Sequence, residues 1–261
     1  MIKFLTLYSS SSGNCTLISD GDTNILIDAG VSCAKITSAL LNADVMPEEI
    51  DAMLVTHEHS DHISGIRVFS RKYNTPIYAN ASVMGCILNS ACDIRPGNAH
   101  VITVAKPFEI RSLTVKAFQT PHDSVSSVGY SVIADGKKYS VCTDTGTVTK
   151  AMLANLSGSE AVLIEANHDE TMLKKGAYPY HLKKRILSDS GHLSNDKCAW
   201  LATQLAIWGT KRIILGHLSE HNNTEEKAYS TVKNMMENNG IKVGADVLRP
   251  KTEYAKYKIY K

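Results

Sequence analysis

An apolar run at 51–56 leads without a break into His57, Glu58, His59, Ser60, Asp61 and His62, so four potential ligands, three imidazoles and the Asp61 carboxylate, stand within six residues. Alternate side chains of an extended segment project to one side, so His57 and His59 can reach one ion. A turn into the helical pattern that follows can aim Asp61 and His62 at a second. A histidine-rich surface loop is the plain alternative, but the position between an apolar strand and an amphipathic helix favours metal ligation. Four local donors do not complete two sites. The fold must therefore hold a strand end open and bring further ligands to it from a distance.

Three residues meet that requirement: His122 in Thr120-Pro-His-Asp-Ser124, Asp144 in Cys142-Thr-Asp-Thr-Gly146, and His217 in Leu215-Gly-His-Leu-Ser219. Each follows an apolar run and sits beside Pro, Gly or Ser, where a loop can present a side chain to a shared site. Taken singly, each has an ordinary reading: a turn residue, a helix-start anchor before 145–156, and a satisfied loop histidine. The first cluster shifts all three towards ligation.

The surrounding pattern is α/β. Strands are expected over 2–8, 15–19, 24–28, 51–56, 76–79, 101–104, 112–118, 127–134, 138–143, 161–165 and 212–215, with a hairpin at Asp135-Gly136. Helices are expected over 32–41, 63–73, 81–89, 148–156, 180–188, 195–207 and 225–237. Strands recur in both halves with helices between them, which fits two sheets packed face to face and covered by helices on both outer faces. With 261 residues, 43% apolar, and no repeat or linker, one domain spanning 1–261 is expected.

Lys plus Arg exceeds Asp plus Glu by only 28 to 26, so no global field draws the chain to nucleic acid or membrane and any polyanion contact must be local. No apolar run approaches the roughly 18 residues of a membrane span, and the start lacks a secretory pattern. Six scattered cysteines (15, 33, 86, 92, 142 and 198) without a C-x-x-C pair suit buried free thiols in a reducing compartment. A soluble, cytoplasmic protein is the expectation.

H-x-H-x-D-H followed by a distant His, Asp and His resembles the metallo-β-lactamase superfamily, and the resemblance covers nearly the whole chain. It implies an αβ/βα sandwich, two central mixed β-sheets flanked by helices. It further implies His57, His59 and His122 on one divalent ion, Asp61, His62 and His217 on another, Asp144 bridging, and Asp28 supporting the metal loop. Antibiotic-hydrolysing members commonly place a cysteine in the second site. Here Asp144 takes that place and Cys142 lies two residues away on the preceding strand, so antibiotic hydrolysis is not expected. Ser9-Ser-Ser-Ser-Gly-Asn14, Glu165-Ala-Asn-His-Asp169, Leu187–Asn195 and Gly216–Asn223 look like the WalJ/YycJ group, regarded as 5′ to 3′ DNA exonucleases linked to mismatch repair.

On that resemblance the expected activity is phosphodiester hydrolysis through a metal-bridging hydroxide, with Asp61 and Asp144 in the catalytic centre, DNA as substrate and repair proteins as partners. Zinc is the expected ion, with manganese or iron admitted by the carboxylates. Ser12, Gly13 and Asn14 are candidates to cradle a phosphate, as an alternative to a simple turn. His168 and His192 are candidates for phosphate contact or leaving-group protonation, or else for capping and core hydrogen bonds. The segment 174–185 interleaves Lys174, Lys175, Lys183, Lys184 and Arg185 with Tyr178 and Tyr180, and Lys183 and Arg185 are its candidate substrate contacts. A small-molecule metallo-hydrolase, such as a thioesterase or cyclic phosphodiesterase, is the rival enzyme. A metal-stabilised binding protein without turnover is a more distant one.

Overall fold

The computed structural model describes residues 2–90, 94–243 and 247–248; Cys92 lies outside them. In chain order the strands are β1 (Lys3–Ser10), β2 (Gly13–Ser19), β3 (Asn24–Ile27), β4 (Ala52–Leu54), β5 (Ile77–Asn80), β6 (Ala99–Ile102), β7 (Phe108–Ile110), β8 (Leu113–Gln119), β9 (Val128–Ala134), β10 (Lys137–Cys142), β11 (Ala161–Glu165), β12 (Ile213–Gly216) and β13 (Val247–Leu248). The helices are α1 (Cys33–Asn42), α2 (Ser60–Ile63), α3 (Ile66–Tyr73), α4 (Ala81–Ser90), α5 (Lys150–Leu156), α6 (Glu170–Lys175), α7 (Tyr180–Ile186), α8 (Asn195–Ile207) and α9 (Glu225–Asn238).

Strands β1 to β6 form one sheet in sequence order, antiparallel from β1 to β3 and parallel from β3 to β6. The second sheet runs β13-β12-β11-β10-β9-β8-β7, parallel from β10 to β13 and antiparallel from β10 to β7. Period-two alternation decides which side chains meet. Ile25, Ile27, Ala52 and Leu54 of the first sheet pack against Val115, Val132, Tyr139 and Leu163 of the second. Leu26 and Met53 turn outwards onto Ile36, Leu40 and Phe69 of α1 and α3. On the far side, Val162 and Ile164 turn onto Met152, Leu201 and Val232 of α5, α8 and α9. These layers are helix, sheet, sheet, helix, the expected sandwich.

Local chemistry explains several element boundaries. Ser32, Thr149, Ser194 and Thr224 each accept a hydrogen bond from a backbone N–H in the first turn of the helix that follows. Asp135 and Gly136 both take positive φ, 51° and 70°, as a tight hairpin demands. The helix expected at 63–73 is instead two pieces broken at Ser64-Gly65. Gly65 lies so close to the backbone that an added Cβ would stand 2.1 Å from the Val31 carbonyl oxygen. The strand expected at 101–104 forms two residues earlier, as β6, while β7, α6 and β13 have no counterpart in the sequence reading.

The chain ends of β3, β4, β8, β10, β11 and β12 all point to one edge of the sandwich. Tyr130, fully buried between the sheets, ties that edge by donating its hydroxyl to the Val55 carbonyl at 2.8 Å, just before the histidine loop. Tyr130→Phe should leave that carbonyl unsatisfied and cost about 1–3 kcal/mol. The measurement is a lower urea midpoint at unchanged m; an unchanged midpoint would show the bond to be dispensable.

Candidate metal centre

Asp28 follows β3 in the left-handed region (φ 62°) and accepts from Thr56 N at 2.8 Å and from the Thr56 hydroxyl at 2.9 Å. Asp28 Oδ2 also lies 2.7 Å from His62 Nδ1. The loop after β4 is drawn back onto β3 by Ala29 N donating to the His62 carbonyl and Gly65 N to the Ala29 carbonyl, both at 2.8 Å. Gly30 allows the approach: a Cβ there would stand 1.6 Å from the Asp61 carbonyl oxygen. Loop shape therefore comes from the 28–30 turn, and α2 then carries Asp61 and His62 round to a different direction from His57 and His59.

His122 comes from the loop after β8, Asp144 from the loop after β10 at φ 56°, and His217 from the end of β12 at φ 53°. Donor atoms of His57, His59 and His122 lie within 4.8 Å of one another, as do those of Asp61, His62 and His217. Asp144 sits between the sets. Its Oδ1 is 3.3 Å from His217 Nε2 and 3.6 Å from His122 Nε2, and its Oδ2 is 2.9 Å from His62 Nε2 without hydrogen-bond geometry.

Four of the five imidazoles in the two sets are held on one nitrogen and face the shared space with the other. His57 Nδ1 lies 3.0 Å from the Thr56 hydroxyl, His62 Nδ1 faces Asp28, His122 Nδ1 donates to the Gly191 carbonyl at 3.0 Å, and His217 Nδ1 donates to Asn14 Oδ1 at 3.1 Å. Among the inward nitrogens, His59 Nδ1 is 3.2 Å from His57 Nε2 and 3.3 Å from His122 Nε2, while His62 Nε2 lies 3.1 Å from Asn14 Nδ2 and 2.9 Å from Asp144 Oδ2. His217 Nε2 is buried with no hydrogen bond at all. Lone pairs so converged, with an orphaned buried nitrogen and a buried carboxylate among them, fit divalent cations.

The electrostatics of the metal-free chain agree. Burial and the neighbouring His62 push His57 well below the usual histidine range, so it is neutral. Burial disfavours charge on His62, but the carboxylates of Asp144 and Asp28 outweigh it and raise the group well above that range. Burial likewise opposes ionisation of Asp144, and His217 and His62 overcome it, holding the carboxylate well below the usual range. Cys142 is buried on β10, its thiol pushed up by burial, and its sulfur belongs to none of the ligand groups among the described residues.

The cleft over these groups has a volume of about 210 Å³ and is bounded by Ser11, Asn167, His192, Tyr178, Leu182 and Arg185 among others. His192 reaches it from the loop after α7, and Glu165 stands behind it. Glu165 is fully buried, accepts from Thr145 N and Leu193 N, and holds His192 Nδ1 at 2.7 Å. Burial opposes charge on His192, but Glu165 and Asp144 raise it to about 9. Arg185 borders the cleft in a two-point ion pair with Asp123.

Other expected site residues lie elsewhere. His168 is 1% exposed, turned away from the cleft towards Asn167 Oδ1, and burial lowers it to about 4. Asn167, its neighbour, faces the cleft and donates to the His217 carbonyl. Ser12 turns to Glu220, and Gly13 is a packing glycine whose Cβ would strike Val31 and the Gly30 carbonyl. Asn14 does not face the cleft either; it steadies His217 and lies 3.1 Å from His62 Nε2. Lys183 points to the opposite face of α7. Glu165, a charged residue closing an apolar strand, and Asp123, adjacent to a recognised histidine, carry no role in the sequence reading beyond their place in the quoted motifs.

Comparison with known proteins places this arrangement. Residues 23–218 match the model of the beta-lactamase superfamily domain. Exodeoxyribonuclease WalJ of Streptococcus pneumoniae is 39% identical over 246 residues, 94% of this chain and 91% of that protein. Exodeoxyribonuclease YycJ of Bacillus anthracis is 35% identical over 244 residues, 93% and 92% of the two chains. Among solved structures, zinc-bound PqqB of Methylobacterium extorquens superposes with a TM-score of 0.75 at 16% identity, covering 98% and 99%. The metallo-beta-lactamase fold protein YhfI of Bacillus subtilis gives 0.74 at 15%, covering 98% of each.

Because His62 must shed its proton to ligate, metal uptake should release protons and weaken as pH falls through its raised pKa. Potentiometric titration with zinc checks this, and pH-independent uptake would contradict it. Asp28→Asn, which loosens the His62 tether, should lower metal affinity by ~10–100-fold in chelator competition.

Proposed function

Since the chain belongs to the beta-lactamase superfamily, we propose that it is a metal-dependent phosphodiester hydrolase, a 5′ to 3′ exodeoxyribonuclease with a role in DNA repair. The observation that carries the substrate is identity of 39% and 35%, over more than nine-tenths of each chain, to proteins named exodeoxyribonucleases. The converged donors supply the means.

In this reading His57, His59 and His122 hold one ion, Asp61, His62 and His217 hold the other, and Asp144 serves both. Zinc is the ion this imidazole-rich set suits best, with manganese or iron compatible with its carboxylates. Bound divalent ions would acidify water and neutralise charge building on a phosphodiester. The chain's own residues do the rest. Asn14, Asp28, Thr56 and the Gly191 carbonyl fix the imidazole rings, so little reorganisation is needed when substrate arrives. Arg185, its guanidinium already oriented by Asp123, offers charge-assisted hydrogen bonds to a phosphate entering beside α7. His192, kept protonated by Glu165 at Nδ1, holds its second proton at Nε2 on the cleft wall, where a departing alkoxide needs one.

The protein works as a single domain in the cytoplasm, consistent with the absence of any helix long and apolar enough to cross a membrane among the described residues. The rival small-molecule hydrolase would use the same donors.

Incubation of zinc- or manganese-loaded protein with 5′- and 3′-labelled DNA, beside a thioester and a cyclic phosphodiester, separates the two. Stepwise release from the 5′ end supports the proposal, and intact DNA with small-ester turnover defeats it. Asp144→Asn should abolish turnover of every substrate. His192→Ala should slow DNA hydrolysis by about 10²–10⁴-fold, yet barely affect a p-nitrophenyl phosphodiester, whose leaving group needs no proton. With His192 intact, DNA hydrolysis should decline as pH rises through its pKa, a limb the variant lacks.

A further inference from the structure

The short helix α7 has two working faces. Tyr178, Leu182, Arg185 and Ile186 look into the metal cleft, while Tyr180, Lys183, Lys184, Leu187 and Ser188 look the other way. With Lys174 of α6, this second set lines a groove of about 550 Å³, room enough for a nucleotide unit. Tyr180 is 81% exposed there, although a tyrosine ring ordinarily covers apolar surface.

The charge of the groove is one-sided. Lys174 is paired with Glu170 at 2.7 Å, and Lys183 donates to the Lys174 carbonyl. Lys184 has no carboxylate partner among the described residues. The next acidic residue along the chain, Asp189, leans towards Lys197 at 4.0 Å. The whole molecule carries a formal charge of only +2, so this concentration beside the cleft is local.

We propose that the α7 groove is a binding track for single-stranded DNA continuing from the cleft, with Tyr180 stacking a base and Lys174, Lys183 and Lys184 meeting the phosphates beside it. The inference rests on the nuclease reading of the cleft for its direction, though the groove's chemistry stands on its own residues. Arg185 and Lys184 are neighbours on the helix, so a strand leaving one face passes directly to the other. A helix is ~10 Å across, so a strand must be more than one nucleotide long to reach from one face to the other. The track therefore favours strands that span both faces over dinucleotides and cyclic species.

The test uses fluorescence anisotropy of the full, metal-loaded chain with labelled phosphorothioate dT12, dT3 and a blunt duplex, alongside turnover of a p-nitrophenyl phosphodiester. Tyr180→Ala with Lys184→Ala, both surface changes, should weaken dT12 binding by about ten-fold or more and lower the salt slope by ~0.7. The same variant should leave dT3 binding and small-ester turnover unchanged, and Tyr180→Phe should bind dT12 like the parent. The proposal is overturned if the double variant binds dT12 as the parent does, if dT3 is lost equally, or if blunt duplex shows the same loss. Tight dT12 binding by a protein that hydrolyses no DNA would retain the groove and remove the nuclease reading. Hydrolysis with a silent groove would do the reverse.

Discussion

The carboxylate of Asp28 holds three things at once: the backbone of Thr56, its hydroxyl, and the Nδ1 edge of His62. It does so from a left-handed backbone that lets the chain leave β3 and turn at once under the histidine loop. Without that anchor a run of three histidines and an aspartate would be a floppy loop with many ways to disperse its charge. With it, the loop has one shape, and the remaining donors need only arrive at fixed points around it. The left-handed conformations of Asp144 and His217 belong to the same design, since backbone strain of this kind persists only where surroundings over-determine it.

A crowd of ionisable groups in so little water is tolerable because their charges alternate. Burial holds His57 neutral, Asp144 and Asp28 favour a proton on His62 that a ligated ion would displace, and Glu165 favours one on His192. Asp144 is the centre of that balance, close to His62, His122, His192 and His217. The pattern also separates the catalytic candidates by what backs them. The imidazoles of the two donor sets lean on neutral groups or on Asp28, whereas His192 leans on the buried Glu165, which favours its protonated form.

Much of this was readable in the order of residues. Alternating strands sorted themselves into inner and outer faces, because period two admits one solution when both faces are covered. The ligand positions stood out because each closes an apolar run at a turn. Glu165 drew no role of its own, since a glutamate ending a strand looks like the first solvated loop residue, and only the three-dimensional structure shows His192 and two backbone N–H groups waiting for it. His168 was drawn towards the site by its type. Neighbouring side chains of an extended segment point opposite ways, and Asn167 took the inward place. Helix α6 and strand β7 are six and three residues long, too short for periodicity to declare them. Gly13 was recognisable as special, but the reason lies in Val31 and Gly30, contacts far along the chain.

The donors come from both sheets, and the last of them, His217, follows every other by more than seventy residues of chain. A ribosome-bound product lacking β12 would own the whole histidine loop and still have an incomplete centre. The donor group thus closes only when β12 has docked beside β11, so its completeness reports on the packing of both sheets.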